Sequence, residues 1–214
     1  MSSIDVSTVW SSNFQLESKS GGESNCFPGN GTVSTSVTSS LYSYRPVGTR
    51  YYASSNPWRA WFIGNEFSFS SLPAGAVILS ATFNFYIRQD DTTQNQTIVL
   101  LEHDWGSSWS TLDWRDSSEL SVKTLLASDS SAGHSVGWNV MDSSGDALRD
   151  VVQGHVDNGT NFHWILVSHT HRNDVTMNTS ERSVTEVDYS FYDPYLTIEY
   201  IVPDNQTIFL GTHF

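Results

Sequence analysis

Apolar and polar residues alternate along most of the chain with a period of two, which is the spacing of a half-buried β-strand rather than a helix. The longest run sets Val77, Leu79, Ala81, Phe83, Phe85 and Ile87 against Ile78, Ser80, Thr82, Asn84, Tyr86 and Arg88. Thr97 to Glu102 reads as a shorter apolar strand, and Val136, Trp138 and Val140 alternate with Ser135, Gly137 and Asn139. Phe162 to Val167 is apolar on both faces, so it is expected at the centre of a sheet. Val187, Tyr189 and Phe191 alternate again; Leu196, Ile198 and Tyr200 follow Pro194, and Gln206 to Leu210 offers a last strand. Near the start, Ile4, Val6 and Trp10, then Phe14 and Leu16, suggest two short strands. Ser18 to Gly31 has loop composition, and Val33 to Val37 reads as a polar edge strand.

One helix stands out. Leu148, Val151, Val152 and His155 share a face at helical spacing, and Ser143 with Asp146 three residues on resembles a capping box. Many strands with a single short helix predict an all-β fold, an antiparallel β-sandwich carrying an N-terminal β arm. Residues 1–50 hold few large apolar groups and are expected to be that arm, an assembly or anchoring segment. Residues 51–202 form the sandwich, and 203–214 a C-terminal extension. No internal repeat is visible.

Composition narrows the function. Aromatics at 13% exclude a disordered chain. Charged residues make up only 15%, and 35 Ser with 19 Thr fill the gap, a mix that favours strands and turns. A net charge of −13 argues against nucleic acid and anionic membrane surfaces as partners, since both are bound through clustered cations. Lys19 and Lys123 are the only lysines, against 15 Asp. An acidic, lysine-poor chain suits a high-salt habitat, where self-repulsion is screened. The single cysteine, Cys26, excludes an internal disulfide framework. No apolar run approaches a membrane span, and the first residues lack the cationic and apolar regions of a secretory signal.

Several motifs carry candidate chemistry. Gly133-His134-Ser135-Val136-Gly137 matches the G-x-S-x-G nucleophile elbow, which requires a helix directly after the serine. Here a strand pattern follows, so Ser135 reads as a strand-edge residue and no enzyme is expected. His169-Thr170-His171 would point two imidazoles to one side if it continued a strand, but a polar loop edge is the preferred reading. Asp90-Asp91 and Asp113 with Asp116 form the weak case for Ca²⁺; no cofactor is otherwise expected. Aromatic rings stack on the apolar C–H faces of sugars, while Asp, Asn, Arg and His bond their hydroxyls. Trp109 and Trp114 are read as core, whereas Trp105, Trp58 and the loop with His169, His171, Arg172 and Asp174 are the candidate carbohydrate-binding residues.

Four stretches in order resemble a known family. They are WRAWFIGNEFSFSSLPAGAVILSATFNFYI from Trp58, DWGSSWSTLDW from Asp104, GWNVMDSSGDALRDVVQGHVDNGTNFHWILVS from Gly137, and DPYLTIEYI from Asp193. Together, over about residues 55–202, they resemble the DNRLRE-type, or disaggregatase-related, domains grouped with carbohydrate-binding modules. Trp58, Trp61 and Phe62 depart from that family's Arg- and Leu-rich first strand, and residues 1–50 lie outside the likeness. The resemblance implies a jelly-roll-like sandwich that is non-catalytic and binds polysaccharide on extracellular or cell-wall proteins.

These readings converge on one expectation: a virion surface protein (a capsid decoration, turret or spike) from a salty habitat, displaying a glycan-binding sandwich for host attachment. Its expected partners are further copies of itself, other virion proteins and a host cell-surface glycan or glycoprotein. The alternatives are a purely structural cement or spacer, or a free carbohydrate-binding module.

Overall fold

The computed structural model describes residues 1–9, 15–21, 32–37, 44–51, 58–92, 97–106, 117–129, 135–143, 145–173, 182–188 and 192–203. In chain order these form β1 (Ser2–Ser7), β2 (Gln15–Gly21), β3 (Thr32–Val37), β4 (Tyr44–Tyr51), β5 (Trp58–Phe67), β6 (Val77–Thr92) and β7 (Ile98–Glu102). There follow α1 (Ser117–Leu120), β8 (Leu125–Ser128), β9 (Gly137–Ser143), α2 (Ala147–Asn158), β10 (Phe162–Ser168), α3 (His169–Arg172), β11 (Arg182–Asp188) and β12 (Tyr195–Ile201). The expected strands Gln206 to Leu210 and residues 189–191 lie outside the described residues, as do Trp10, Phe14, Cys26, Asp113 and Asp116.

The fold is an all-β sandwich of two antiparallel layers with a short helix. Its hydrogen-bonded order runs β1-β12-β6-β11-β4-β5-β10-β7-β8-β9, and a further β6–β9 pairing joins the two layers at their edges. β2 and β3 add to the β5 side. β10 is central, as its two-sided apolar pattern predicts, with β5 on one edge and β7 on the other.

That centrality divides the core in two. Phe162, Trp164 and Leu166 point into the sandwich beside Phe67, Phe83 and Phe85. Trp164 meets Phe83 edge-on at 5.1 Å and stacks on Phe67 at 5.7 Å. Ile165 and Val167 point the other way, into a second cluster with Ala60, Phe62, Val99, Leu101 and Leu120. The chain between β7 and β8 supplies the cover for that outer face through Leu120 and the partly buried Trp105 and Leu125.

α2 packs on the end of the first core. Leu148 and Val152 are buried in it, and Val151 and Val156 pack against it. The Gln153 side chain accepts a hydrogen bond from the Ile78 N–H at 2.7 Å and donates to the Ala76 carbonyl at 3.2 Å. It thereby pairs backbone groups at the start of β6, which β12 pairs on one edge and which β9 reaches only from Phe83 onward.

The structure corrects three local expectations. The alternation along β6 breaks at a bulge: Glu199 pairs with Ser80 but Tyr200 with Ile78, so Ile78 turns inward and Val77 and Leu79 face out. In β9 it is Met141 that is buried, while Trp138 and Val140, and Val136 just before the strand, are exposed. The N-cap of α2 is Asp146, with no side-chain cap bond; Ser143 instead donates to the Gly145 carbonyl. Two single helical turns, α1 and α3, join the one helix expected.

Candidate functional site

Where β7 and β10 meet the C-terminal end of α2, polar side chains gather around a groove of about 540 Å³. Its walls are Glu102 and Asp104 from the end of β7, His155 from the last turn of α2, Thr160 and Asn161 from the following loop, and His163 from β10. Strand register explains the gathering. Trp164 pairs with Glu102, and His163 pairs with Glu66 of β5, so neighbouring positions point to opposite faces of the same sheet end.

On the α2 face, His155 Nε2 lies 3.0 Å from Glu102 Oε1, and its Nδ1 lies 2.8 Å from Thr160 Oγ1. The hydrogen bond from His155 holds the Glu102 carboxyl below its usual range, against the opposing effect of burial. On the other face, His163 Nε2 lies 2.9 Å from Glu66 Oε2 and its Nδ1 3.3 Å from Asp104 Oδ1. Asn161 Nδ2 also donates to Glu66 Oε2, at 3.3 Å. The Asp104 carboxyl is held low first by the Gly106 backbone N–H, 2.7 Å away, and then by His163.

Chemically this is an acceptor-rich pocket with interleaved donors. Two carboxylates are held ionised by short-range partners, and an amide, a hydroxyl and two imidazoles stand beside them. Such a set matches a ligand carrying several neighbouring hydroxyls.

The sequence candidates separate. Trp105 sits at this end: its indole stacks on His163 with centroids 4.3 Å apart and planes within 6°. His169 begins α3 at the opposite end of β10, about 20 Å away along the strand by its rise. The exposed His169 Nδ1 is bonded by Asn173 at 2.9 Å. Arg172 faces the protein, its Nη2 donating to the Lys123 carbonyl at 3.0 Å and the Ser121 carbonyl at 3.3 Å. Because α3 is helical from His169, His169 and His171 do not share one side as they would in a strand. Trp58 opens β5, paired with Gly21 and Tyr51, at the end remote from Glu66; Asp174 and the His171 side chain lie outside the described residues. Ser135 precedes β9, so a strand follows the matched elbow.

Sequence reasoning missed Glu66, Glu102, Asp104, His155, Asn161 and His163 as a group. His155 was legible only as a face of a helix, and nothing in the spacing joins it to Glu102. Among the described residues no group of three His, Cys, Asp or Glu is placed to hold a metal. No protein-family model matches the chain, and a search of the curated proteins finds no match.

Proposed function

We propose that the protein is a non-catalytic glycan-recognition module, displayed on a virus particle, that binds saccharide in the groove between Glu102, His155 and His163. One observation carries the reading: oriented carboxylates, an amide and a hydroxyl converge on a groove beside an aromatic ring. A sugar offers the complement, since each hydroxyl both donates and accepts. Both imidazoles are engaged by carboxylates, and His155 also by the Thr160 hydroxyl, so the reading rests on the donors and acceptors of the groove. The high-salt habitat rests on the acidic, lysine-poor sequence, and the display on a particle surface on the family resemblance.

The test is a glycan array at molar and low salt, comparing the native chain with Asn161→Ala and Glu102→Gln. Saturable binding to a defined glycan, weakened tenfold or more by either change, is expected. Binding to no glycan in either salt, or binding untouched by both changes, overturns it.

A further inference from the structure

The charges of the groove are one-sided. Glu102 and Asp104 line it, Glu66 stands behind His163 and Asn161, and neither Lys nor Arg is among its walls. The Lys123 ammonium lies outside it, donating to the Glu102 backbone carbonyl at 3.2 Å. Three carboxylates stand against at most two imidazolium charges, so the site is negative whatever the protonation of His155 and His163. Each lining carboxylate also keeps an oxygen in reserve. Among the described residues, Glu102 bonds through Oε1, to His155, and Asp104 through Oδ1, to the Gly106 N–H and His163. Those bonds favour the ionised carboxylates. Glu102 Oε2 and Asp104 Oδ2 are left for a ligand, on side chains 46 and 83% exposed. A second depression of about 300 Å³, lined by Val151, Gly154 and Asn158, shares Glu102, His155 and Thr160 with the groove. The site therefore runs on along α2, as an extended ligand requires.

We infer that the groove selects saccharides bearing a free amino group, hexosamines with an unsubstituted ammonium, and turns away acidic ones. The inference rests on the saccharide binding proposed above and names its class. An ammonium brings three donors and a positive charge to oxygens that, while ionised, can only accept. Charge-assisted bonds of this kind are roughly twice as strong as neutral ones. Acetylation removes that charge and two of the donors. A uronic acid, a sialic acid or a sulfate ester sets its own negative charge against Glu102 and Asp104, with no Lys or Arg in the walls to answer it.

Titration calorimetry of the full chain with four hexamers tests this: β-1,4-linked glucosamine, its N-acetylated form, the uncharged glucose hexamer and a galacturonic acid hexamer. At about pH 6, where ordinary carboxylates are ionised, the glucosamine hexamer should bind at least tenfold tighter than the acetylated and glucose hexamers. The galacturonate should not bind, and the advantage of the amine should shrink in molar salt. Glu102→Gln and Asp104→Asn should each cut that advantage at least threefold. Glu199→Gln, which removes the same charge from β12, should leave it unchanged, and so separates the groove from the general attraction of a −13 chain for cations. Circular dichroism melting of each variant separates loss of charge from loss of fold. Equal or tighter binding of the acetylated, glucose or acidic hexamer overturns the inference and leaves the saccharide role standing. An advantage that Glu199→Gln lowers as much as the groove variants do overturns it too. Binding of none of the four, with a glycan bound on the array, overturns the inference alone; no binding in either assay overturns the saccharide role as well.

Discussion

The Trp105 indole lies flat on the His163 imidazole, 4.3 Å between centroids and 6° between planes. Through that contact the loop after β7 is tied to the central strand. Trp105 also packs against the outer core beside Leu125, and Asp104 beside it reaches His163 Nδ1. One ring therefore links the second core to the groove wall.

Trp105→Ala removes this link. A ring pair of this type contributes about 0.5–1.5 kcal/mol beyond area burial, and the indole's partial burial adds to the loss. In a chain of this size a few degrees of melting temperature should go with it. Groove binding should fall with it, and Trp105→Phe should recover part of both. Melting and array signals that match the native chain would take Trp105 out of the site.

Acid should loosen the groove. The folded-state pKa values of Glu102 and Asp104 both lie below their ordinary values of 4.5 and 3.8. Groups depressed in this way contribute stability that is present above the unfolded pKa and is lost as pH falls through the folded one. Denaturant unfolding from pH 7 down to about 3 should therefore show a decline beginning near the ordinary carboxylate range. Glu102→Gln and Asp104→Asn should each reduce that slope. An unchanged slope in both would place the acid-sensitive groups elsewhere.

Gln153→Leu tests the tie between α2 and β6. The substitution keeps an apolar stem but strands the Ile78 N–H and the Ala76 carbonyl. Leaving such groups unpaired costs about 1–3 kcal/mol. Urea unfolding should show that loss with an unchanged slope; a loss under about 0.3 kcal/mol would mean water replaces the amide.

Arg172→Ala separates the two ends of β10. Its guanidinium bonds the backbone between α1 and β8, so the change should lower the melting temperature while leaving groove affinity within twofold. A large loss of affinity with an unchanged melting temperature would return Arg172 to the binding site.

The strands were legible because period-two alternation is a local property, and β10 declared its central place by being apolar on both faces. Phase was not local. The bulge opposite Glu199 and Tyr200 turns Val77 and Leu79 outward, and only the partner strand reveals it. β4 escaped notice because Pro46 and Gly48 interrupt its pattern, although both pair in the ladder. The groove was illegible for a related reason. Glu66, Glu102 and the segment from His155 to His163 are far apart in sequence and meet only through register and the docking of α2. The aromatic signal pointed to Trp105, which lies beside the groove, but equally to His169, which the length of one strand separates from it.

The loop that carries Thr160 and Asn161 depends on Gly159. This residue ends α2 with φ +63 and ψ 34, the left-handed conformation. Its N–H reaches the Val156 carbonyl at 3.3 Å, and the Thr160 N–H reaches the His155 carbonyl at 3.0 Å. A Cβ added at Gly159 meets nothing within 4 Å, so the cost of Gly159→Ala comes from the backbone angle alone, about 1 kcal/mol. Asn tolerates the angle better, so Gly159→Asn should cost less. Because Thr160 holds His155 Nδ1, and His155 holds Glu102, the alanine variant should also weaken groove affinity severalfold. Calorimetric melting with saccharide titration checks both. Equal stability for the Ala and Asn variants would mean that the left-handed turn is not what sets the groove loop.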